Sequence, residues 1–419
     1  MNEVFKEGSG QPDQGHSAPV RGPRVKVVCV GKAGTRMLRH LPLEAFPQVE
    51  RAVVDTDAEA LEYMEGIGET VKIGSGVTHG LGAGGALKLG YNAALESRAA
   101  IEQMVSGCRL IFLLAGMAGG TGGGASGQVA LLAKEAGSMV FAFVIMPGAL
   151  ESGRVAGARR ALDFLSQHCE LLVPVYFDQL VRTSEGVYSA PEAFGRGNAL
   201  LGCGIGALCT MLFREGTPKL DFATLRNVFS TRDNRTIFAL GHGRGSDVVA
   251  LSEAMEDMAN SPLAQPRKGE ASCSSVLVLF RSGADLAVAH VEAVLKQIAA
   301  RFGAREEVVS SITVDKSLGD LVEICVFGTA GGERAEASAS LARQGVGAPA
   351  SAALATIGER AFPESVAPSS REMVQETISF DDDTGARYFR ETPRLLEGTV
   401  DLDVPTYMRQ GIKLAEPLH

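Results

Sequence analysis

The segment that most constrains the fold is "GMAGGTGGGAS" (116–126), which contains six glycines in eleven residues. It follows the apolar run "LIFLLA" (110–115) and precedes the helix-forming stretch "GQVALLAKEAG" (127–137). Glycine destabilises regular structure by about 0.5–1 kcal/mol relative to alanine, so this run needs a compensating role. Between a strand and a helix, glycines let backbone N–H groups converge on an anion beside the positive helix N-terminus. The segment predicts a phosphate-binding turn, and a tight turn that binds nothing is the alternative.

Two common phosphate-binding motifs do not occur in the sequence. It contains no GxxxxGK[ST], which excludes a P-loop, and "VGKAGT" (30–35) has too few glycines for GxGxxG. A Rossmann-type NAD enzyme is disfavoured, because no catalytic histidine or cysteine constellation accompanies that segment. The seven histidines and seven cysteines show no metal-ligand spacing, so we expect buried free thiols and no metal site built from them.

Apolar runs alternate with helix-forming segments through the first half of the chain. Three of them, "RLIFLLA" (109–115), "MVFAFVIM" (139–146) and "ELLVPVYF" (170–177), are apolar along most of their length rather than at every second residue. Strands buried on both faces are typical of a parallel sheet covered by helices. The predicted fold class is α/β, with a parallel-sheet domain, a long central helix and a smaller second α/β domain.

Composition divides the chain into six segments. The N-terminal residues are polar, and "AGGERAEASASLARQGVGAPASAA" has too few large apolar side chains to build a core. The predicted segments are a disordered arm (1–23), a domain that contains the glycine run (24–192), the central helix with the loop after it (193–230), a second α/β domain (231–330), a flexible linker (331–399) and a C-terminal partner-binding peptide (400–419).

Charge and hydropathy exclude some classes of partner. The net charge of −9 gives no basis for nucleic-acid binding, and the N-terminal residues lack the apolar core of a secretory signal. The uncharged run 198–213 is shorter than the roughly 20 residues that a membrane-spanning helix needs. We therefore expect a cytoplasmic protein without a membrane span, in which this run is part of a buried helix.

Several segments resemble, in order, those of the tubulin/FtsZ superfamily. "AGGTGGG" (118–124) is similar to its GGGTGTG signature, "VDTDAEAL" (54–61) to NTDxxAL, and "THGLGAGG" (78–85) to its RGLGAG loop. "AFGRGN" (193–198) resembles the start of the family's central helix, and "LDVPTYMRQ" (402–410) resembles its C-terminal peptide. The resemblance covers both predicted domains and the tail, and the chain is identified as a divergent bacterial FtsZ-type member.

The resemblance implies binding of GTP or GDP, with Mg²⁺, at the carboxyl ends of the strands of the first domain. It implies phosphate contacts for the glycine segments and Thr121, a ribose contact for Glu151, and guanine contacts for Phe194 and Asn198. The implied nucleotide-binding residues are Gly31, Gly34, Gly82, Ala83, Gly84, Ala118, Gly119, Gly120, Thr121, Gly122, Gly123, Gly124, Glu151, Arg154, Phe194 and Asn198.

The nucleotide loops also depart from the family pattern. "GKAGTR" stands where the family has a run of glycines and an Asn, which brings Lys32 and Arg36 near the phosphates. Arg154 lies one position early relative to Glu151, and Phe177 stands where an Asn would contact the base. The first-loop changes predict either tighter phosphate binding through the added cations or steric hindrance.

Hydrolysis in this family is split between subunits, because a loop resembling NxDxxD enters the neighbour's site and its carboxylates orient the attacking water. The corresponding segment is "GTPKLDFATLRNVFS" (216–230), in which Lys219, Asp221 and Thr224 occupy the three positions. With one Asp left, we expect Asp221 to support a slow hydrolysis and Lys219 to stabilise the assembled state. A non-hydrolysing paralogue that co-assembles with or regulates another FtsZ is the alternative.

The resemblance further implies head-to-tail polymerisation of the chain with itself at the division site. It implies that the C-terminal peptide binds membrane-anchor or other division proteins. The residues implied in that contact are Leu402, Val404, Pro405, Tyr407, Met408 and Arg409.

Overall fold

The computed structural model describes residues 23–64, 66–183, 186–229, 236–261, 273–304 and 307–330, together with 396–397 and 400–401. Nearly all of the predicted N-terminal arm, most of the predicted linker, and Leu402 to Arg409 of the C-terminal peptide lie outside the described residues.

Six strands form the first sheet: β1 (Val25–Val30), β2 (Val49–Asp55), β3 (Glu69–Lys72), β4 (Leu110–Gly116), β5 (Met139–Met146) and β6 (Leu171–Tyr176). Their order is β3-β2-β1-β4-β5-β6, and every neighbouring pair is parallel. The order reverses between β1 and β4. The carboxyl ends of these two strands therefore border the crevice where open α/β sheets bind ligands.

Helices flank this sheet: α1 (Gly31–Leu38), α2 (Ala58–Glu62), α3 (Ser75–Thr78), α4 (Leu87–Glu96), α5 (Arg98–Val105), α6 (Gly120–Glu135) and α7 (Ser152–Ser166). Single 3₁₀ turns occur at Leu43–Ala45 and Ala149–Glu151. Successive residues of β1 alternate between two apolar clusters, with Val27 in one and Val28 in the other. Both faces of the strand are buried, which confirms the predicted covered parallel sheet.

The chain then passes through α8 (Phe177–Val181), β7 (Arg182–Thr183) and β8 (Gly186–Val187) into the central helix α9 (Ala190–Phe213). A capping box starts α9, because the Glu192 side chain accepts a hydrogen bond from the backbone N–H of Ser189 at 2.9 Å.

Helix α9 is 24 residues long, which exceeds the uncharged run on which the sequence argument rested. In the described part of the chain it is the one helix long and apolar enough to cross a membrane, and 67% of its apolar window is buried inside the protein. Length therefore does not decide against a span. The burial of its apolar side chains assigns α9 to the protein core.

After α9, the chain forms three helices and the four strands of a second, mixed sheet. In chain order they are α10 (Phe222–Val228), β9 (Thr236–Arg244), α11 (Asp247–Asn260), β10 (Cys273–Ser282), α12 (Val288–Phe302), β11 (Glu307–Val314) and β12 (Leu321–Ala330). The strand order is β11-β10-β12-β9, and only β10 and β11 among these neighbours are parallel. Phe327 of β12 lies 6.4 Å from the ring of Phe143 in the first sheet, so one apolar cluster joins both domains.

In the tail, β13 (Leu396–Glu397) and β14 (Val400–Asp401) form an antiparallel pair in which Leu396 lies opposite Asp401. The pair crosses the predicted boundary between linker and peptide, since one strand lies on each side of it.

Candidate functional site

A cavity of about 1080 Å³ lies at the carboxyl ends of β1, β2 and β4, where the strand order reverses. Three loops of the first sheet, the starts of α1 and α6, and the first turns of α9 line it. Thirteen of the sixteen residues predicted to bind nucleotide line this cavity: Gly31, Gly82, Ala83, Gly84, Ala118, Gly119, Gly120, Thr121, Gly122, Glu151, Arg154, Phe194 and Asn198.

The floor of the cavity is a close contact between the starts of α1 and α6. Gly31 has a φ of +74°, and a Cβ atom there would lie 2.9 Å from the backbone nitrogen of Gly122. A Cβ atom at Gly122 would lie 2.5 Å from the carbonyl oxygen of Gly116. Glycine is required at both positions, since the backbones approach too closely for any side chain.

The N-terminus of α6 opens into the cavity without a side-chain cap. Its N-cap residue is Gly119, which has no side chain to accept a hydrogen bond from the first turn. The first N–H groups of a helix have no partner within the helix, and they carry partial positive charge. This end of the cavity can therefore bind an anion such as phosphate.

The predicted glycine turn is partly wrong, because Gly120 to Gly124 are the first residues of α6 rather than a loop. Gly34, Gly123 and Gly124 do not line the cavity. Gly123 packs instead against Leu87, whose Cδ2 would lie 2.5 Å from a Cβ atom, and Gly124 meets the backbone of α4. Gly123 and Gly124 therefore allow α6 to pack closely against α4. Gly34 allows a similar close contact between α1 and β4.

Two carboxylates line the cavity at the end of β2, in different environments. Asp55 is 2% exposed, its Oδ2 has no hydrogen-bond partner, and burial raises its pKa. Asp57 pairs with Lys32 at 2.6 Å between Oδ2 and Nζ, and this hydrogen bond lowers the pKa of Asp57 and raises that of Lys32. Beside them, the hydroxyls of Thr56 and Thr121 lie 2.7 Å apart.

These oxygens suit a hard cation that also contacts phosphate. The described residues contain no group of three or more His, Cys, Asp or Glu side chains that could hold a metal by themselves. Mg²⁺ is usually bound by one or two carboxylates together with substrate phosphates and water, rather than by an all-protein cage. The orphaned Asp55 oxygen, with Asp57 and Thr121 nearby, fits that mode.

The opposite end of the cavity is formed by α9. Asn198 is 7% exposed, and its Oδ1 has no hydrogen-bond partner. Phe194 is 39% exposed, and its ring lies 4.4 Å from that of buried Phe177 at an angle of 37°. Phe177 does not line the cavity, so in place of a base-contacting Asn the chain has a ring that supports Phe194. Between the two ends, Arg154 pairs with Glu151 at 3.1 Å.

Several residues that line the cavity were not predicted from the sequence. Arg39 and His40 follow the last turn of α1 and face the same cavity as Lys32 and Arg36. The sequence signal for Arg39 is the spacing of Lys32, Arg36 and Arg39, which places the three cations on one helical face.

The predicted catalytic residues lie elsewhere. Neither Lys219 nor Asp221 lines the cavity, and both are exposed. Asp221 is the N-cap of α10, where its Oδ1 accepts hydrogen bonds from the Thr224 backbone N–H at 2.8 Å and hydroxyl at 2.9 Å. These two bonds lower the pKa of Asp221.

The chain is similar to known proteins over most of its described length. Residues 24–185 match the Tubulin/FtsZ family, GTPase domain. The cell division protein FtsZ of Buchnera aphidicola subsp. Schizaphis graminum is 31% identical over 306 residues, which cover 73% of this chain and 78% of that protein. The cell division protein FtsZ of Caulobacter vibrioides is 28% identical over 311 residues, which cover 73% of this chain and 60% of that protein.

Solved structures share the fold. An FtsZ dimer from M. jannaschii superimposes with a TM-score of 0.65 and 24% identity, covering 74% of this chain and 88% of that one. CetZ2 from Haloferax volcanii, in a GTPγS-bound protofilament, has a TM-score of 0.62 and 20% identity, covering 77% of this chain and 98% of that one.

Proposed function

The chain belongs to the tubulin/FtsZ family as a divergent FtsZ-type member, and from this we propose that it is a cell-division GTPase that assembles head-to-tail and hydrolyses GTP slowly. One observation carries the proposal. The cavity at the strand-order reversal combines an uncapped helix N-terminus with the unpaired acceptor of Asn198.

Guanine nucleotide fits the polarity of the two ends of the cavity. The first turn of α6 receives the phosphates, and Gly82 to Gly84 supply a second glycine segment beside them. Asn198 Oδ1 accepts hydrogen bonds from the guanine edge, which presents donors where adenine does not, and Phe194 stacks on the base. A buried acceptor left unpaired is costly, so it favours a ligand that donates to it.

Mg²⁺ would be held by the carboxylates of Asp55 and Asp57 and the hydroxyl of Thr121, together with phosphate oxygens. The ion neutralises charge on the terminal phosphates when bound. Asp57 also orients Lys32, whose ammonium lies at the same end of the cavity and adds a cation from the same chain.

Hydrolysis in trans is supported by the exposure of the segment before α10. Asp221 and Lys219 are accessible to another subunit but do not reach the cavity of their own chain. In a head-to-tail filament, the carboxylate of Asp221 orients water at the neighbour's γ-phosphate, and the ammonium of Lys219 strengthens the nucleotide-loaded interface. Because one carboxylate acts in place of two, turnover is slow.

A non-hydrolysing paralogue that co-assembles with another FtsZ is the second candidate. The observation that favours it is that the Asp221 carboxylate accepts two hydrogen bonds from Thr224 as the cap of α10, which is a sufficient structural reason for an Asp there.

Assembly and phosphate release separate the two candidates. The purified chain is incubated with GTP and Mg²⁺, and light scattering and released phosphate are followed over a range of protein concentrations. A self-assembling GTPase gives a critical concentration, with release per subunit that rises above it. Lys219→Asn raises that concentration, and Thr224→Asp accelerates release. Hydrolysis that does not depend on protein concentration would contradict a site completed in trans.

We also propose that residues 400–419 recruit division or membrane-anchor proteins at the division site. The segment contains apolar residues around Pro405 and follows a linker of low complexity. A chain lacking 400–419 should assemble with GTP as the full chain does but lose its position at midcell. Unchanged placement would contradict the proposal.

A further inference from the structure

Helix α1 and its C-cap residue, Arg39, carry a row of cations on the side that lines the cavity. Lys32, Arg36 and Arg39 all line it, and at about 100° per residue their spacing of four and three places them within an arc of roughly 60°. Met37 and Leu38 are buried on the other side of the helix. All three residues are also exposed, so the row borders the cavity and remains accessible to solvent.

Two of the four permanent cations in the cavity have no carboxylate beside them. Lys32 and Arg154 each pair with a carboxylate that also lines the cavity, at 2.6 Å and 3.1 Å. Across the described ranges, no carboxylate lies within 4.0 Å of Arg36 or Arg39. The helix dipole favours cations in the last turn of α1 but not on one particular face. Like charges one turn apart repel each other, so an anion between them would stabilise the pair.

These arginines lie apart from the N-terminus of α6, residues Gly119 to Gly122, which we call the phosphate cradle. Gly31, at the start of α1, touches the cradle at Gly122. With a rise of about 1.5 Å per residue, Arg36 and Arg39 lie roughly 7 Å and 12 Å further along the helix axis. The backbone of His40, two residues after α1, lies against Gly202 of α9, so the two arginines lie on the stretch of the cavity border that runs from the cradle towards the central helix.

Resting on the proposed function, we infer that Arg36 and Arg39 form a subsite for a phosphate group on the ribose of a guanine nucleotide. The cradle binds the 5′-phosphates, and the arginine pair binds phosphate on the 3′-hydroxyl. Guanidinium groups suit this role because they donate paired, charge-assisted hydrogen bonds to phosphate oxygens. The ligand class is a guanosine nucleotide phosphorylated at both the 5′ and 3′ positions.

Titration calorimetry on the full chain with GMP and guanosine 3′,5′-bisphosphate tests the subsite. At low ionic strength the bisphosphate should bind about tenfold tighter than GMP, a difference of about 1.4 kcal/mol. In the Arg36→Gln/Arg39→Gln variant the ratio of the two affinities should fall close to one. The matched control is Arg159→Gln/Arg160→Gln, which removes two exposed cations from α7 outside the cavity and should retain the ratio.

Three results would overturn the inference. Equal affinities for the two ligands in the unmodified chain would show that no ribose-phosphate subsite exists. An equal loss of the ratio in the α7 control would show a general effect of net charge. GDP is titrated in parallel: if GDP binds while the ratio is one, only this inference fails, whereas loss of all guanine-nucleotide binding overturns the proposed function with it.

Discussion

The proposed nucleotide cavity and the exposed segment before α10 differ in what the fold requires of their residues. In the cavity, Gly31 and Gly122 are held by backbone contacts that leave no room for a side chain. In the segment, Lys219 is exposed and only Asp221 has a structural role, as a helix cap. Lys219, which departs from the trans-acting pattern, is therefore a residue that the fold leaves free, whereas Gly31 and Gly122, which match family glycines, are required by backbone packing.

The comparison is tested most strongly by separating the cap from the carboxylate at Asp221. Asn caps helices about as well as Asp, so Asp221→Asn should leave the unfolding midpoint unchanged. It removes the charge proposed to orient water, and phosphate release should fall by about 10²–10⁴-fold with nucleotide binding retained.

Asp221→Ala is the comparison variant, because it removes both functions and should also cost about 1 kcal/mol of stability as a lost cap. Release that is lost in the Ala variant but retained in the Asn variant would show that Asp221 acts only as a cap.

In the cavity, we expect that a substitution can abolish most GTP binding while the protein still folds. Gly119 has φ −81° and ψ 146°, which a valine adopts without strain, and a Cβ atom there would lie 3.6 Å from the Gly116 oxygen. Gly119→Val should fold but obstruct the N-terminus of α6. GTP affinity should fall by about 10²-fold, since charge-assisted hydrogen bonds contribute about 1.5–3 kcal/mol.

Gly153→Val is the matched control in a fluorescence binding assay, because Gly153 is exposed on α7 and a Cβ atom there would meet nothing within 4 Å. Similar affinities for the two variants would remove the α6 N-terminus from the binding site.

At the end of the cavity formed by α9, we expect a substitution to reduce GTP affinity by a smaller factor. Asn198→Ala removes a buried acceptor that has no partner in the protein, so the stability of the fold should change little. GTP affinity should fall by about five- to tenfold while ATP affinity stays the same, because one neutral hydrogen bond contributes about 1 kcal/mol. Asn260→Ala, at the exposed end of α11, is the control. An equal loss for both nucleotides would argue against a guanine contact.

The sequence predicted the covered parallel sheet and most of the cavity, because apolar strands and glycine segments leave strong local patterns. It did not predict that the glycine run continues into α6, since glycine disfavours helices and only the close packing of α6 against α4 and the end of β4 explains its presence. Nor did it predict that Phe177 supports Phe194 or that Arg39 reaches the cavity. Those facts depend on how separate elements pack, which no local pattern encodes.

Within the cavity, Asp55 and Asp57 affect the stability of the fold in opposite ways. Burial raises the pKa of Asp55, so its charged form destabilises the folded state at neutral pH, and the cost disappears below the unfolded pKa of 3.8. The ion pair with Lys32 lowers the pKa of Asp57, so its stabilisation is present above 3.8 and is lost as the pH falls through the folded-state pKa.

The Asp55→Asn and Asp57→Asn substitutions should change the unfolding midpoint in opposite directions. At pH 7, without Mg²⁺ or nucleotide, Asp55→Asn should raise the unfolding midpoint, and Asp57→Asn should lower it. Each shift should be a few degrees, because 1 kcal/mol moves the midpoint by about 2–4 °C in domains of this size. The Asp57 effect should be the smaller one, since Lys32 is 64% exposed and solvent screens the pair. Thermal melts from pH 7 down to pH 3 should show both differences shrinking. If both variants lowered the unfolding midpoint at pH 7, the charged Asp55 carboxylate would stabilise the folded protein through a partner of its own. It would then not be the unpaired carboxylate that we assign to a phosphate-bound cation.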